Sequence, residues 1–164
     1  MQTAPHNTVA LKCRDQLVNF KDPKVLPACM QVTHQLFYFL DQFRYQDLAE
    51  LFLPDGTLLR QGQLLVGRKS IVEALSKRSP TQRIRHVISN AFIESQSPER
   101  AHLVAYMVAY QFDNGVLPTG PADISRPFRM STVRAAMCQT GGAWSIAEMT
   151  FTTEFNFVAG TAKA

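Results

Sequence analysis

Asp41 and His86 are the two residues whose types and surroundings best fit acid–base chemistry. Asp41 lies in a segment whose apolar residues recur every three or four positions, which predicts a helix with one buried face. A carboxylate there is costly to bury unless it is hydrogen-bonded or protonated, so Asp41 is either paired inside a pocket or exposed at the edge of the helix. The apolar positions are Val32, Leu36, Phe39, Leu40 and Phe43.

His86 is a suitable partner, because it lies near the start of a strand-like run, Arg85–Asn90. A carboxylate that accepts a hydrogen bond from one imidazole nitrogen fixes the tautomer of the ring and makes the other nitrogen more basic. We therefore predict that Asp41 and His86 meet in one pocket, with His86 as catalytic base and Asp41 as its orienting group. The same contact could be purely structural and tie the strand to the helix, and the residues alone leave both interpretations open.

Six further residues are candidates for contacts with a ligand. Alternation along the strand predicts that Ile88, Asn90 and Phe92 face the same side as His86. Asn90 could hold a ligand carbonyl or hydroxyl, or it could satisfy backbone groups. The candidate substrate-binding residues are Phe37, Tyr45, Ile88, Asn90, Tyr106 and Trp144.

Some of these candidates have alternative roles. Tyr106 shares a strand face with Tyr110 and His102, so it could be a pocket donor or part of a dimer surface. Phe37 and Trp144 suit either the core or the wall of a pocket.

The composition predicts one soluble domain. With 164 residues and 46% hydrophobic content, the chain can bury a substantial core. Its three cysteines, Cys13, Cys29 and Cys138, have no C-x-x-C spacing, so neither a disulfide framework nor a metal site is expected, and a reducing cytoplasm fits best. Met1–Asn7 lacks the basic and apolar parts of an export signal, and no apolar run approaches the roughly 20 residues of a membrane span.

Positive charge is concentrated in one stretch of the chain. The net charge is +4 and the pI is about 9.2. The cluster could attract an anionic ligand or nucleic acid, or it could be a solvated helix face and the loop after it. No nucleic-acid-binding motif accompanies it, so we expect no nucleic-acid partner. The cluster comprises Arg68, Lys69, Lys77, Arg78, Arg83 and Arg85.

The order of elements predicts an α+β fold of three helices followed by a curved, mostly antiparallel sheet wrapped around them. Pro23 and Pro27 should interrupt an N-terminal arm, residues 1–29, which could contain a helix over Asn7–Phe20. Residues 30–157 form the domain, and residues 158–164 form a flexible tail. The expected helices are Gln31–Arg44, Leu48–Phe52 with Asp47 as its cap, and Arg68–Arg78.

Strands account for the rest of the domain. Pro54-Asp55-Gly56 is a turn signature before the first strands. The loop Asp113–Pro127 is long enough to be functional or disordered. The expected strands are Thr57–Arg60, Leu64–Val66, Arg85–Glu94, Ala101–Phe112, Phe128–Cys138 and Ala143–Asn156.

An ordered set of short motifs resembles the nuclear transport factor 2-like superfamily, and within it the SnoaL-like group of polyketide cyclases, dehydratases and relatives. The resemblance spans Gln31 to Phe151 and implies a cystatin-like conical barrel, with a pocket between the long helix and the inner face of the sheet. It also implies a homodimer. The motifs are Leu40-Asp41, Asp47-Leu48, Leu51-Phe52, Asp55-Gly56, Gly67-Arg68 with Ile71, Arg85 to Asn90, and Gly142 to Ile146.

The resemblance gives Asp41 and His86 specific roles. In scytalone dehydratase-like members, a helix aspartate at the position of Asp41 holds a proton-transferring histidine at the position of His86. Those members place a tyrosine where this chain has Leu40, and a further histidine where it offers only Tyr106 or Tyr110. Ketosteroid isomerase-like members carry a catalytic acid at the place that corresponds to Arg60 in this chain, so both of those reactions are in question.

Two functions therefore compete. The first is a cofactor-independent dehydratase, isomerase or cyclase acting on a hydrophobic cyclic or aromatic substrate. The second is a non-catalytic cone that binds a ligand or supports a larger subunit, because the small subunits of ring-hydroxylating dioxygenases share the helix and the Arg85–Asn90 pattern.

Overall fold

The structure, a computed structural model, describes residues 22–158. The predicted Asn7–Phe20 helix, Cys13 and the tail from residue 159 lie outside these residues. Within this range there are three helices: α1 (Val25–Asp41), α2 (Tyr45–Glu50) and α3 (Gly67–Leu75). The strands are β1 (Phe52–Arg60), β2 (Gln63–Val66), β3 (Arg83–Ser97), β4 (Arg100–Phe112), β5 (Arg129–Thr140) and β6 (Ala143–Asn156).

The six strands form one open sheet in the order β2-β1-β6-β5-β4-β3. Only the pairing of β1 with β6 is parallel, and every other pairing is antiparallel. The predicted α+β class and mostly antiparallel sheet are confirmed. Strands β2 and β3 are the two edges of the sheet, and β3 carries His86.

The long helix α1 packs on β3, β4 and β6. Its buried stripe includes Val32, Leu36 and Phe37, at the helical spacing seen in the sequence. On β4 the odd-numbered residues from Ala101 to Ala109 are buried, so this face of the sheet meets the helix. The removal of these apolar surfaces from water is the main force that holds the helix on the sheet.

Helix α1 begins and ends earlier than the predicted Gln31–Arg44 helix. Pro27 does not interrupt it, because the residue lies in the first turn, where its missing N–H has no helical acceptor to lose. At the other end, Phe43 adopts a left-handed backbone with φ 58°, which stops the helix after Asp41. Asp41 is therefore the last residue of α1.

The predicted turn at Pro54-Asp55-Gly56 is wrong, because these residues lie inside β1. The register between β1 and β6 shifts between Phe52 and Thr57, so the irregularity expected of these residues appears as a bulge. A Cβ on Gly56 would lie 2.8 Å from the carbonyl oxygen of Ile146. Glycine is needed there because the neighbouring backbone approaches too closely for any side chain.

Candidate functional site

The carboxylate of Asp41 binds His86 through both of its oxygens. Asp41 Oδ1 lies 2.6 Å from Nδ1 of the His86 ring. The backbone N–H of His86 donates to Asp41 Oδ2 at 2.9 Å. Each side chain is only 7% exposed, so the pair is nearly shielded from solvent. The predicted meeting of Asp41 and His86 is therefore present in the structure.

The position of Asp41 explains why it needs this pairing. A carboxylate at the C-terminal end of a helix faces the negative end of the helix dipole. Two charge-assisted hydrogen bonds to one residue of β3 offset that cost and lock the carboxylate in place. Arg78 Nη1 also donates to the carbonyl of Leu40 at 2.8 Å, and Arg85 Nη1 donates to that of Asp41 at 3.4 Å. The Leu40 carbonyl also accepts from the backbone N–H of Phe43 at 3.4 Å, so the guanidinium groups add hydrogen bonds to the carbonyls at the helix end.

A cavity of about 470 Å³ lies beside this pair, and His86 forms part of its wall. Because Nδ1 is bound to Asp41, Nε2 is the ring nitrogen left for a molecule in the cavity. No described residue forms a hydrogen bond with Nε2. The ring of Phe37 lies 5.2 Å from that of His86, centroid to centroid. Most of the remaining wall is apolar and includes Leu36, Leu58, Leu75, Ile84, Met107 and Phe151.

The same cavity is also lined by a group of polar residues, and no acidic residue is among its described lining residues. Arg60, Arg78 and Arg129 line it together with Ser131. Burial lowers the pKa of Arg60, and the positive charges of Arg78 and Arg129 lower it further. The three guanidinium groups line the same cavity, so each adds positive charge to the surroundings of the others.

Of the six predicted ligand-contact residues, Phe37 lines the cavity. Ile88 and Asn90 do not line it. Ile88 precedes the β3 bulge and packs against the core, whereas Asn90 lies in the bulge itself. Asn90 has φ 52°, and the register with β4 slips between Ser89 and Phe92. The extra residue reverses the faces that follow, and Phe92 is left 49% exposed. The prediction that His86, Ile88, Asn90 and Phe92 line the pocket together is wrong, because of these four residues His86 alone is in the cavity wall.

The other three candidates also lie outside the cavity wall. Tyr106 is 41% exposed, because the odd-numbered residues of β4 face the core. Trp144 packs against the edge of the core. The hydroxyl of Tyr45 is buried without a hydrogen-bond partner, and burial raises its pKa while the charge of Arg78 opposes that shift.

Sequence reasoning missed Arg129 and Ser131 as cavity residues and gave Arg60 no binding role, and it named Arg78 only as one member of a basic cluster that could attract an anionic ligand. One signal could have found the first two. Val133, Ala135 and Met137 alternate as buried residues on β5, and the same alternation continued backwards reaches Ser131 and Arg129.

Within residues 22–158, no group of three or more His, Cys, Asp or Glu side chains is arranged to hold a metal ion. None of the helices in that range has the length and apolar character of a membrane-spanning helix.

Residues 27–150 match the model of a family described as the SnoaL-like domain. No curated protein is detectably similar to the chain in sequence. Solved structures do share its fold. A protein of unknown function with a cystatin-like fold from Nostoc punctiforme is 16% identical, with a TM-score of 0.66, over 84% of this chain and 96% of that one.

Two further structures come from Novosphingobium aromaticivorans. One, named "Putative Scytalone Dehydratase", is 15% identical with a TM-score of 0.67, over 87% of this chain and 96% of that one. The other, named "putative aromatic ring hydroxylase", is 13% identical with a TM-score of 0.67, over 83% of this chain and 93% of that one. At such identities the likeness shows the cystatin-like fold alone.

Proposed function

This chain belongs to the SnoaL-like domain family, and we propose that it is a small-molecule enzyme that performs acid–base chemistry without a cofactor. The substrate is a hydrophobic cyclic or aromatic compound. The reaction is a dehydration, isomerisation or cyclisation that begins with proton abstraction next to a carbonyl. The observation that carries the proposal is the 2.6 Å contact between Asp41 and His86 in the wall of an apolar cavity.

In the proposed mechanism, neutral His86 carries its proton on Nδ1 and uses Nε2 as the base. Nε2 accepts a proton from the carbon next to the substrate carbonyl, the C–H electron pair forms a C=C bond, and the carbonyl π electrons move onto the oxygen to give an enolate. Asp41 stabilises the imidazolium through Nδ1. Nε2 then returns the proton, either to another carbon in an isomerisation or to a departing hydroxyl that leaves as water.

The surroundings of the pair support this role. Apolar residues such as Phe37, Leu58 and Met107 form much of the wall that His86 shares. Electrostatic interactions are stronger in such a site than in bulk water, so the charge on Asp41 has more effect on the imidazolium. A similar fold in a structure named "Putative Scytalone Dehydratase" is consistent with a proton-transfer reaction.

The test uses 5-nitrobenzisoxazole, a neutral aromatic compound whose ring opens when a base removes its C–H proton, releasing a coloured cyanophenolate. We expect the wild-type protein to accelerate this reaction with saturation. His86→Gln should lower kcat/KM by about 100-fold or more, because it removes the base. Asp41→Asn should lower it less, because the base remains but loses its charged partner. Absorbance of the product gives the rates.

His34→Gln is the matched control, since His34 is an exposed histidine on α1 and away from the cavity wall. It should leave the rate unchanged, and thermal melts should show that every variant is folded. An inactive wild-type protein, or a folded His86→Gln variant with full activity, would overturn the assignment of His86 as an accessible base.

A non-catalytic cone that supports another subunit is the second candidate. Exposed apolar residues on β3 and β4 favour it, because Val87, Phe92 and Tyr106 are each at least 41% exposed. A homodimer through this surface is compatible with either function. Light scattering during size-exclusion chromatography tests what covers this surface: a dimer mass supports a second copy of this chain, and a monomer mass supports a different chain. A cytoplasmic location is also proposed, and it rests on the cysteine pattern of the sequence.

A further inference from the structure

Three guanidinium groups share one cavity without a counter-charge. Arg60 lies at the end of β1, Arg78 follows α3, and Arg129 begins β5. All three line the 470 Å³ cavity. Within residues 22–158, five ion pairs form, and none of them includes these arginines. Unpaired cations in a partly buried site are unfavourable unless something compensates them.

The three arginines differ in how many of their hydrogen-bond donors are used. Arg78 is occupied, because it donates to the Leu40 carbonyl at 2.8 Å and from Nη2 to Gln82 at 3.0 Å. Arg60 makes one long hydrogen bond of 3.3 Å, to Gln61. Arg129 Nε is buried with no hydrogen-bond partner. Arg60 and Arg129 therefore keep donors for a molecule in the cavity.

Ser131 is an independent indication of a polar ligand. Its side chain is 1% exposed, it lines the same cavity, and its Oγ has no hydrogen-bond partner. A buried hydroxyl without a partner is uncommon, because its desolvation is not compensated. Ser131 lies two residues from Arg129 on β5, so both side chains project from the same face of the strand.

A second cavity adjoins the first and is also lined by positively charged residues. Its volume is about 370 Å³, and Arg60, Arg78 and Gln82 line both cavities. Lys77 adds a further positive charge there, and no carboxylate is among its described lining residues. Cations without nearby acids raise the local concentration of anions.

From these contacts we propose that the ligand of the main cavity carries an oxyanion, a carboxylate or a phosphate, bound by Arg60, Arg129 and Ser131. Guanidinium groups bind such anions through paired N–H donors, and the Ser131 hydroxyl can donate to a third position. The inference deepens the proposed function, on which it rests for the choice of cavity: the substrate class becomes hydrophobic acids. His86 then contacts the part of the ligand that reacts, and the arginines bind the part that carries the oxyanion.

Binding is tested with three probes that share one ring system. They are 1-naphthoate, 1-naphthyl phosphate and the neutral 1-naphthamide, each titrated into the wild-type protein by calorimetry at low salt. We expect at least one of the anions to bind roughly tenfold tighter than the amide. The tighter anion identifies the carboxylate or the phosphate as the better match.

Arg129→Gln and Arg60→Gln should each remove most of this preference while leaving the affinity for 1-naphthamide nearly unchanged. Arg129→Lys should recover part of it, because the charge returns without the paired donors. Arg134→Gln is the control for net charge, since Arg134 is 55% exposed and pairs with Glu94 outside the cavity wall. It should keep the full preference for the anion.

Equal binding of the amide and both anions by the wild-type protein would overturn the inference, as would absence of anion binding at millimolar concentration. A preference that survives in both glutamine variants would also overturn it. The result is separable from the test of His86, because binding needs no turnover. His86→Gln should keep the anion preference even where it loses activity toward 5-nitrobenzisoxazole.

Discussion

The two polar groups of the cavity wall differ in whether their buried polar atoms have hydrogen-bond partners. At His86, both oxygens of the Asp41 carboxylate and one ring nitrogen are paired within the chain. At the arginine group, Arg129 Nε and Ser131 Oγ are buried and have no partner. In the first group the buried carboxylate has its partners and Nε2 of His86 is left for a ligand, whereas in the second group buried donors themselves have no partner.

Because of this difference, we expect the paired group to stabilise the fold and the unpaired group to bind a ligand. A carboxylate that is paired through both oxygens stabilises the fold and holds the free ring nitrogen of His86 at a fixed place, which is what a base needs. An unpaired cationic group lowers stability and can recover that loss when an anion arrives. Mutations in the two groups should therefore change stability in opposite directions.

Asp41→Ala should have the largest effect on stability. The change leaves the backbone N–H and the ring of His86 buried without their acceptor, and we expect the free energy of unfolding to fall by about 3 kcal/mol. Urea denaturation monitored by circular dichroism measures it. The matched control is Asp47→Ala, because Asp47 also forms a short ion pair, with Arg44, but at the surface. A loss as small as that of the control would show that the pair does not stabilise the fold.

Arg60→Met should act in the opposite direction. Methionine keeps an unbranched apolar stem and removes one charge that burial and the neighbouring arginines disfavour. We expect the free energy of unfolding to rise by about 1 kcal/mol at low salt, and the gain to shrink as salt screens the repulsion.

Arg134→Met provides the contrast for Arg60→Met, since Arg134 Nη1 lies 3.0 Å from Glu94 Oε1. It should not stabilise the protein. Thermal melts at low and high salt compare the two variants. Destabilisation by Arg60→Met would remove the distinction between the paired and the unpaired groups.

The same contrast explains what the sequence could predict. Asp41 sits beside a helical apolar stripe and His86 opens a strand pattern, so each is conspicuous in its own element. Their pairing then follows from the resemblance. The C-terminal strand Ala143–Asn156 also has the bounds that the sequence predicts, because a glycine turn precedes it.

The arginine group could not be predicted in this way. Arg60, Arg78 and Arg129 come from three separate parts of the chain, and only the folded sheet brings them to one cavity. The local period also failed at Asn90, where a single residue with a left-handed backbone reverses the faces of β3. The alternation of residues along a strand predicts which side chains share a face of the sheet only as far as the next bulge.

Ser131→Ala should have the smallest effect on stability and is the most sensitive test of the unpaired group. Its Oγ has no partner to lose, so the free energy of unfolding should stay within about 0.5 kcal/mol of the wild type or rise slightly. Thr33→Val is the control, because the equally buried Thr33 Oγ1 donates to the Cys29 carbonyl at 2.9 Å, and its loss should cost more. Urea denaturation measures both. A loss above about 1 kcal/mol for Ser131→Ala would mean that the hydroxyl is satisfied within the chain. Its lack of a partner could then no longer be attributed to a site that a ligand completes.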